Sequence, residues 1–185
     1  IERTVDIEGR PLLIGGNVFA VSYQGKLGGL GLANGRPVWA RDASSYVGIA
    51  EGFGNIYVAE ASGTVSAYEA AGGALRWQND QLARRQPGTP AVIGSHVAVA
   101  DFDGYVHLLS QADGHFAGRV RADGDGVRAD MIGANDMLYV YGNDGGRLDR
   151  HAAARIVRRI AKAAGITKHI GPHTLRHGFI TAALD

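Results

Sequence analysis

The chain has 185 residues, 45% hydrophobic and 20% charged, with 28 Gly, 5 Pro, two Trp and no Cys. That is a globular composition with length for one core or for a core plus an appendage, and it excludes a disulfide scaffold, a cysteine-ligated zinc site and a cysteine nucleophile. The formal charge of +1 hides a split: residues 149–185 hold 7 Lys/Arg against 2 acids, residues 1–148 hold 12 against 16. No run of residues reaches the roughly 18 to 20 apolar positions a membrane helix needs. The opening Ile1-Glu2-Arg3-Thr4 has neither an initiator Met nor a signal-peptide core, so the sequence reads as a piece that starts in mid-protein.

The sequence repeats itself at a period near 40 residues. Asn17-Val-Phe-Ala-Val, Asn55-Ile-Tyr-Val-Ala, His96-Val-Ala-Val-Ala and Met137-Leu-Tyr-Val-Tyr align at steps of 38, 41 and 41 residues. A turn glycine follows each at the same steps (Gly25, Gly63, Gly104, Gly145), and in the first three units a second one follows (Gly35, Gly73, Gly114). Trp39 and Trp77 stand four residues beyond that second glycine, where the third unit has Gly118.

In chain order the first unit predicts strands over Val18–Tyr23, Leu27–Leu32 and Val38–Trp39, separated by Gln24-Gly25 and Asn34-Gly35 turns. A period near 40 with short strands is the pattern of a propeller blade, which cannot bury its faces alone and must stack on neighbours. The expectation is a mainly β fold: about four blades of an incomplete β-propeller over residues 1–148, beginning near residues 11, 50, 89 and 131, then a short two-helix segment over 149–185. An arc of blades leaves its end blades open, which predicts self-association through those ends.

These repeats, Tyr23-Gln-Gly-Lys-Leu through Trp39 and Ala61-Ser-Gly-Thr-Val through Trp77, resemble the PQQ-type propeller repeat. The Ile1-to-Pro11 lead-in and Gly104-Tyr-Val-His-Leu-Leu are similar to the BamB family of outer-membrane β-barrel assembly lipoproteins, in its C-terminal half. The resemblance implies a non-enzymatic interaction scaffold at the periplasmic face of the outer membrane, with a protein partner of BamA type and no cofactor. It also implies that an acidic pair, Asp6 and Glu8, contacts the partner; Glu8 stands where the family has aspartate. Quinone-dependent enzymes share the repeat, but their adjacent cysteines are missing here, and Asn34, Asp80, Asp103, Asp113 and Asn143 read as turn residues bonding their own backbone.

From Asp149 the period becomes helical: Ala153, Ile156, Val157, Ile160 and Ala164 share one face, and Arg155, Arg158, Arg159 and Lys162 the other. A second helix is expected after Gly171-Pro172. The intervening Gly171-Pro-His173-Thr-Leu-Arg176-His177 resembles the His-x-x-Arg box of tyrosine recombinases (phage integrases). In those enzymes two arginines and a histidine clamp a scissile phosphate while a tyrosine attacks. Here His173 and Arg176 match the box, yet all seven Tyr precede it, so no complete catalytic set exists. The competing expectation is therefore weak, salt-sensitive, non-specific DNA binding through Arg155, Arg158, Arg159, Lys162 and Arg176 by a recombinase remnant whose parent is cytoplasmic. The four histidines of this stretch have no standard metal-ligand spacing. Such a join suggests a chimera, engineered or recombined.

Overall fold

The computed structural model of the protein describes residues 7–127, 129–134 and 137–142. The chain divides into two units between Asp144 and Gly145, and every described residue lies in the first. The two expected helices, Asp6, Arg155, Arg158, Arg159, Lys162, His173 and Arg176 lie outside the described residues.

Each repeat folds as an antiparallel sheet with its strands in chain order. The first blade is β1 (Leu12–Ile14), β2 (Asn17–Val21), β3 (Lys26–Gly31) and β4 (Pro37–Asp42). The second is β5 (Ile49–Gly52), β6 (Asn55–Ala59), β7 (Val65–Glu69) and β8 (Leu75–Asn79). The third is β9 (Ala91–Ile93), β10 (His96–Ala100), β11 (Tyr105–Ser110) and β12 (Phe116–Arg121). A hairpin of β13 (Ile132–Ala134) and β14 (Met137–Tyr139) follows. The same bulge recurs in all three full sheets, at Gly29/Leu30, Ala67/Tyr68 and Leu108/Leu109, so the last strand bends alike each time. First strands touch in series, β1 on β5, β5 on β9 and β9 on β13.

Stacking explains why β6, Asn-Ile-Tyr-Val-Ala, is apolar at every position from Ile56 to Ala59 rather than alternating. Ile56 and Val58 on one face join Phe19, Val21, Leu27 and Trp39 of the first blade. Tyr57 and Ala59 on the other join Val97, Val99 and Leu109 of the third. A sheet with a neighbour on each face needs apolar side chains at odd and even positions alike, and each large one buried contributes about 1.5–3 kcal/mol. Strands β4, β8 and β12 are mostly exposed.

Each tryptophan clamps its blade to the next. Trp39 donates from Nε1 to the Ala70 carbonyl at 2.8 Å, and Trp77 to the Gln111 carbonyl at 2.9 Å. The indoles lie over Gly73 and Gly114, whose φ values of 68° and 72° suit glycine and whose missing Cβ leaves room for the ring. Two residues further on, Arg41 donates to the Gly73 and Gly72 carbonyls at 2.7 and 3.0 Å, and Asn79 to the Gly114 carbonyl at 2.8 Å. In β12 the corresponding residues are Gly118, paired with Leu108, and Val120, which is 60% exposed.

We expect Trp39→Ala to cost about 3–5 kcal/mol in chemical denaturation, from lost packing. Gly73→Ala should cost about 1–3 kcal/mol from strain at positive φ and overlap with the indole. Their effects should be less than additive, since without the ring only the backbone strain remains.

Candidate protein-interaction face

One set of loops gathers at the ends of β2, β6 and β10. The β2–β3 turn and the β4–β5 connector are tied by the Gln24 amide donating to Ser44 Oγ at 2.9 Å and the Ser45 amide to the Ser22 carbonyl at 3.2 Å. Ser45 Oγ donates to the Ala59 carbonyl at 2.7 Å, joining the connector to β6. The β8–β9 connector is held to β10 by the Phe102 amide on the Arg85 carbonyl at 3.1 Å and the Gly88 amide on the Ala100 carbonyl at 2.8 Å. The Gly48 amide donates to Thr89 Oγ1 at 3.1 Å, so neighbouring connectors are laced together.

These loops enclose a groove of about 890 Å³ whose walls include Tyr46, Val47, Glu60, Arg84, Gln86 and Phe102. Tyr46 and Phe102 are 46% and 50% exposed. Tyr46 stacks on Tyr23 with ring centroids 4.4 Å apart. Its hydroxyl is pushed above the ordinary tyrosine range by a hydrogen bond with Tyr23, then by partial loss of solvent and by electrostatic interaction with Tyr23 and with the Glu8 carboxylate. Glu8 therefore stands in electrostatic reach of the groove; it is exposed, on a lead-in segment where Gly9 lies close against the Val47 carbonyl. Arg84 and Gln86 hold φ values of 68° and 48°, a left-handed backbone that costs non-glycine residues energy and persists only where the surroundings impose it. Paired exposed aromatics beside a rigid groove match what protein interfaces use as anchors.

Of the residues expected at functional sites, Glu8 alone is described. The turn reading holds for Asn34 and Asp113, whose carboxamide and carboxylate oxygens accept from the amides of Arg36 and His115 at 2.9 and 3.3 Å. Asp103 differs: its carboxylate lies 3.4 Å from Arg85, because the β8–β9 connector passes beside that turn. At the start of that same connector Asn79, rather than Asp80, caps the chain by accepting from the Gln81 amide at 2.9 Å. Sequence reasoning did not single out Tyr23, Tyr46, Arg84 or Phe102; the available signal was aromatic residues at connectors and turns instead of strands. Among the described residues no group of three or more His, Cys, Asp or Glu could hold a metal ion, and no helix is long and apolar enough to cross a membrane.

A second polar assembly lies inside the third blade. Asp101, fully buried, accepts from His107 Nε2 and Arg85 Nε, both at 2.7 Å, and from the Tyr105 amide at 2.9 Å. Burial pushes this carboxyl up, but the hydrogen bonds from His107, the Tyr105 amide and Arg85 outweigh it, and Asp101 lies below the ordinary carboxylate range. A depressed carboxyl adds stability that is present above its unfolded pKa, near 3.9, and is lost as pH falls through its folded value. Asp101→Asn puts an amide donor against three donors and should cost about 3 kcal/mol at pH 7. Denaturation at pH 3 should show a smaller gap, since the native carboxylate is by then losing its own advantage.

The family described as outer membrane protein assembly factor BamB matches residues 1–79 and 61–169. The outer membrane protein assembly factor BamB of Pseudomonas aeruginosa is 53% identical over 145 residues, 78% of this chain and 38% of that one. Its counterpart in Burkholderia pseudomallei is 38% identical over 146 residues, 79% of this chain and 38% of that one. The crystal structure of BamB from Moraxella catarrhalis superposes with a TM-score of 0.65 at 27% identity, covering 76% of this chain and 42% of that one. The chain thus spans less than half the length of these relatives.

Proposed function

The chain belongs to the family of the outer membrane protein assembly factor BamB, and on that premise we propose that it is a non-enzymatic scaffold in outer-membrane protein assembly, at the periplasmic face of that membrane. The observation that carries the reading is the loop face, where Tyr46, stacked on Tyr23, and Phe102 wall one groove and Glu8 lies within electrostatic reach of Tyr46. Stacked blades hold such loops rigidly, so binding does not have to order them. The partner is a protein of BamA type, met by these aromatics and by the Asp6–Glu8 acidic pair, of which Asp6 lies outside the described residues. The recombinase-like reading of residues 149–185, with His173, Arg176 and the arginines expected to bind DNA, rests on residues outside the description and adds nothing to this function.

Tyr46→Asp combined with Phe102→Asp should weaken binding to the periplasmic region of BamA by about thirtyfold or more, as loss of an interface anchor does. Glu8→Lys should weaken it further at low salt and less at high salt. Titration by surface-immobilised BamA reads both, and unchanged affinity in the aromatic variant would remove this face from the reading.

Self-association forms part of the same proposal. Leu13, Val18 and Leu30 lie on the face of the first blade corresponding to the one the second blade buries with Ile56 and Tyr68. Leu13 and Leu30 remain at least half exposed. A second copy of the chain is the occupant that supplies a matching sheet face. Sedimentation at micromolar concentration should show a dimer that Leu13→Asp with Leu30→Asp converts to monomer.

A further inference from the structure

The turn between β5 and β6 departs from its counterpart in the first blade. Gly52 pairs with Asn55, so Phe53 and Gly54 form a two-residue hairpin loop, with φ values of 49° and 73°. A loop with both residues left-handed suits Asn-Gly or Gly-Gly, and the first blade has Gly15-Gly16 there, at 55° and 79°. Phe53 holds a glycine conformation with a bulky side chain, and that side chain is 76% exposed. Among the described residues no aromatic or cationic group lies against its ring. A strained backbone that carries an aromatic ring into water gains nothing for folding, and such outliers gather where ligands bind.

Phe53 is one wall of a groove of about 810 Å³ between the second and third blades, at the starts of β6 and β10, whose walls also include Glu69, Arg76, His96, Gln111 and His115. Small-ligand clefts span about 300–1,000 Å³. The turn amides around it are occupied: Ala70 donates to the Gly54 carbonyl, Ser110 to the His115 carbonyl and Gln111 to the Ser95 carbonyl, each at 2.9 Å. The Gln111 side chain is occupied too, donating to the Gly94 carbonyl at 2.7 Å and accepting from the Tyr57 hydroxyl at 2.9 Å. What remains is the tips of four side chains. Arg76 donates to Glu69 Oε1 through Nη2 alone, at 2.7 Å. His96 meets Ser95 Oγ through Nδ1 at 3.2 Å, and His115 donates from Nδ1 to Asp113 at 2.7 Å. Glu69 Oε2, the other N–H groups of Arg76 and both imidazole Nε2 atoms have no hydrogen-bond partner among the described residues.

These features select one chemistry. The carboxylate and the guanidinium of the groove pair with each other, so an ion finds no free counter-charge from them. An extended polypeptide docks through backbone hydrogen bonds, and the turn amides are taken. A saccharide needs neither: the C–H face of a pyranose ring lies on the negative face of an aromatic ring, and each hydroxyl both donates and accepts. We propose that this groove binds a neutral saccharide, with one pyranose ring on Phe53 and its hydroxyls on Glu69, Arg76 and the Nε2 atoms of His96 and His115. Plain and N-acetylated sugars share this chemistry. The inference does not depend on the loop-face reading, which uses the opposite ends of the same strands.

The test titrates the intact ¹⁵N-labelled chain with cellotriose, with chitotriose and, for the competing class, with a capped Ser-Leu-Ser tripeptide. Saturable shifts of the Phe53, Gly54 and His115 amides with either saccharide at millimolar concentration support the site. Response to both assigns it to the pyranose ring itself, and response to one alone assigns it to the plain or the N-acetylated sugar. Phe53→Asn removes the ring and suits the turn, so it should raise the thermal midpoint by a few degrees while weakening binding by about tenfold or more. Phe53→Trp should keep the affinity, and His115→Ala should lower it by about threefold, as loss of one hydrogen bond does. A Phe53→Asn chain less stable than the parent returns Phe53 to a structural role and overturns the proposal. So does equal affinity in Phe53→Asn, response to the tripeptide alone, or amides unmoved by either saccharide at tens of millimolar.

Discussion

Everything in this structure depends on how one blade is fastened to the next, and the indole of Trp39 or Trp77 is the fastener. A blade whose inner strands are apolar on both faces cannot bury them alone and has to stack on a neighbour. The Trp39 ring solves two problems together: it covers the open turn of the following blade and satisfies the Ala70 carbonyl there. It can do so only because Gly73 has no Cβ under it. The clamp is a three-part device of tryptophan, glycine and a cation or amide two residues later, and loss of any part disturbs the others.

Fixing the blades fixes the loops. Connectors pass from the last strand of one blade to the first strand of the next, and their hydrogen bonds tie each to the turn beside it. The Tyr23–Tyr46 stack joins a turn of the first blade to the connector leading into the second. It is therefore set by blade packing, not by local chain preference. The unusual backbone of Arg84 and Gln86 is tolerated for the same reason, since the β8–β9 connector is pinned at Arg85, between them, and at Gly88, just beyond them.

The repeat was legible because each of its landmarks has a local physical cause. Gly73 and Gly114 are needed at positive φ, Trp39 and Trp77 at one strand position, and the apolar run of β6 by burial on both faces. The candidate sites were not legible. His107 is one of seven histidines, and nothing near it in sequence shows that Asp101 and Arg85, 6 and 22 residues away, converge on it. Asp103 looked like an ordinary turn residue because the arginine beside it comes from the preceding connector. Convergence of segments from adjacent blades carries no period, and a period was the signal available.

The Asp101–His107 pair occupies a slot that each of the three four-stranded blades possesses. In the first blade the slot holds Ser22 and Gly28, with the serine hydroxyl engaging only the Lys26 backbone. In the second it holds Glu60 and Ser66, joined by a hydrogen bond of 2.7 Å. In the third the acid is one carbon shorter and an imidazole replaces the hydroxyl, which brings Arg85 in from the connector. The backbone around the slot is the same each time, because the turn bond from residue 22, 60 or 101 to the carbonyl four residues on is kept. A fold whose stability rests on clamps elsewhere can therefore change the chemistry of this slot without rebuilding a blade. The third blade, where Gly118 stands in the tryptophan position, has traded apolar fastening on one face for a charged assembly on the other.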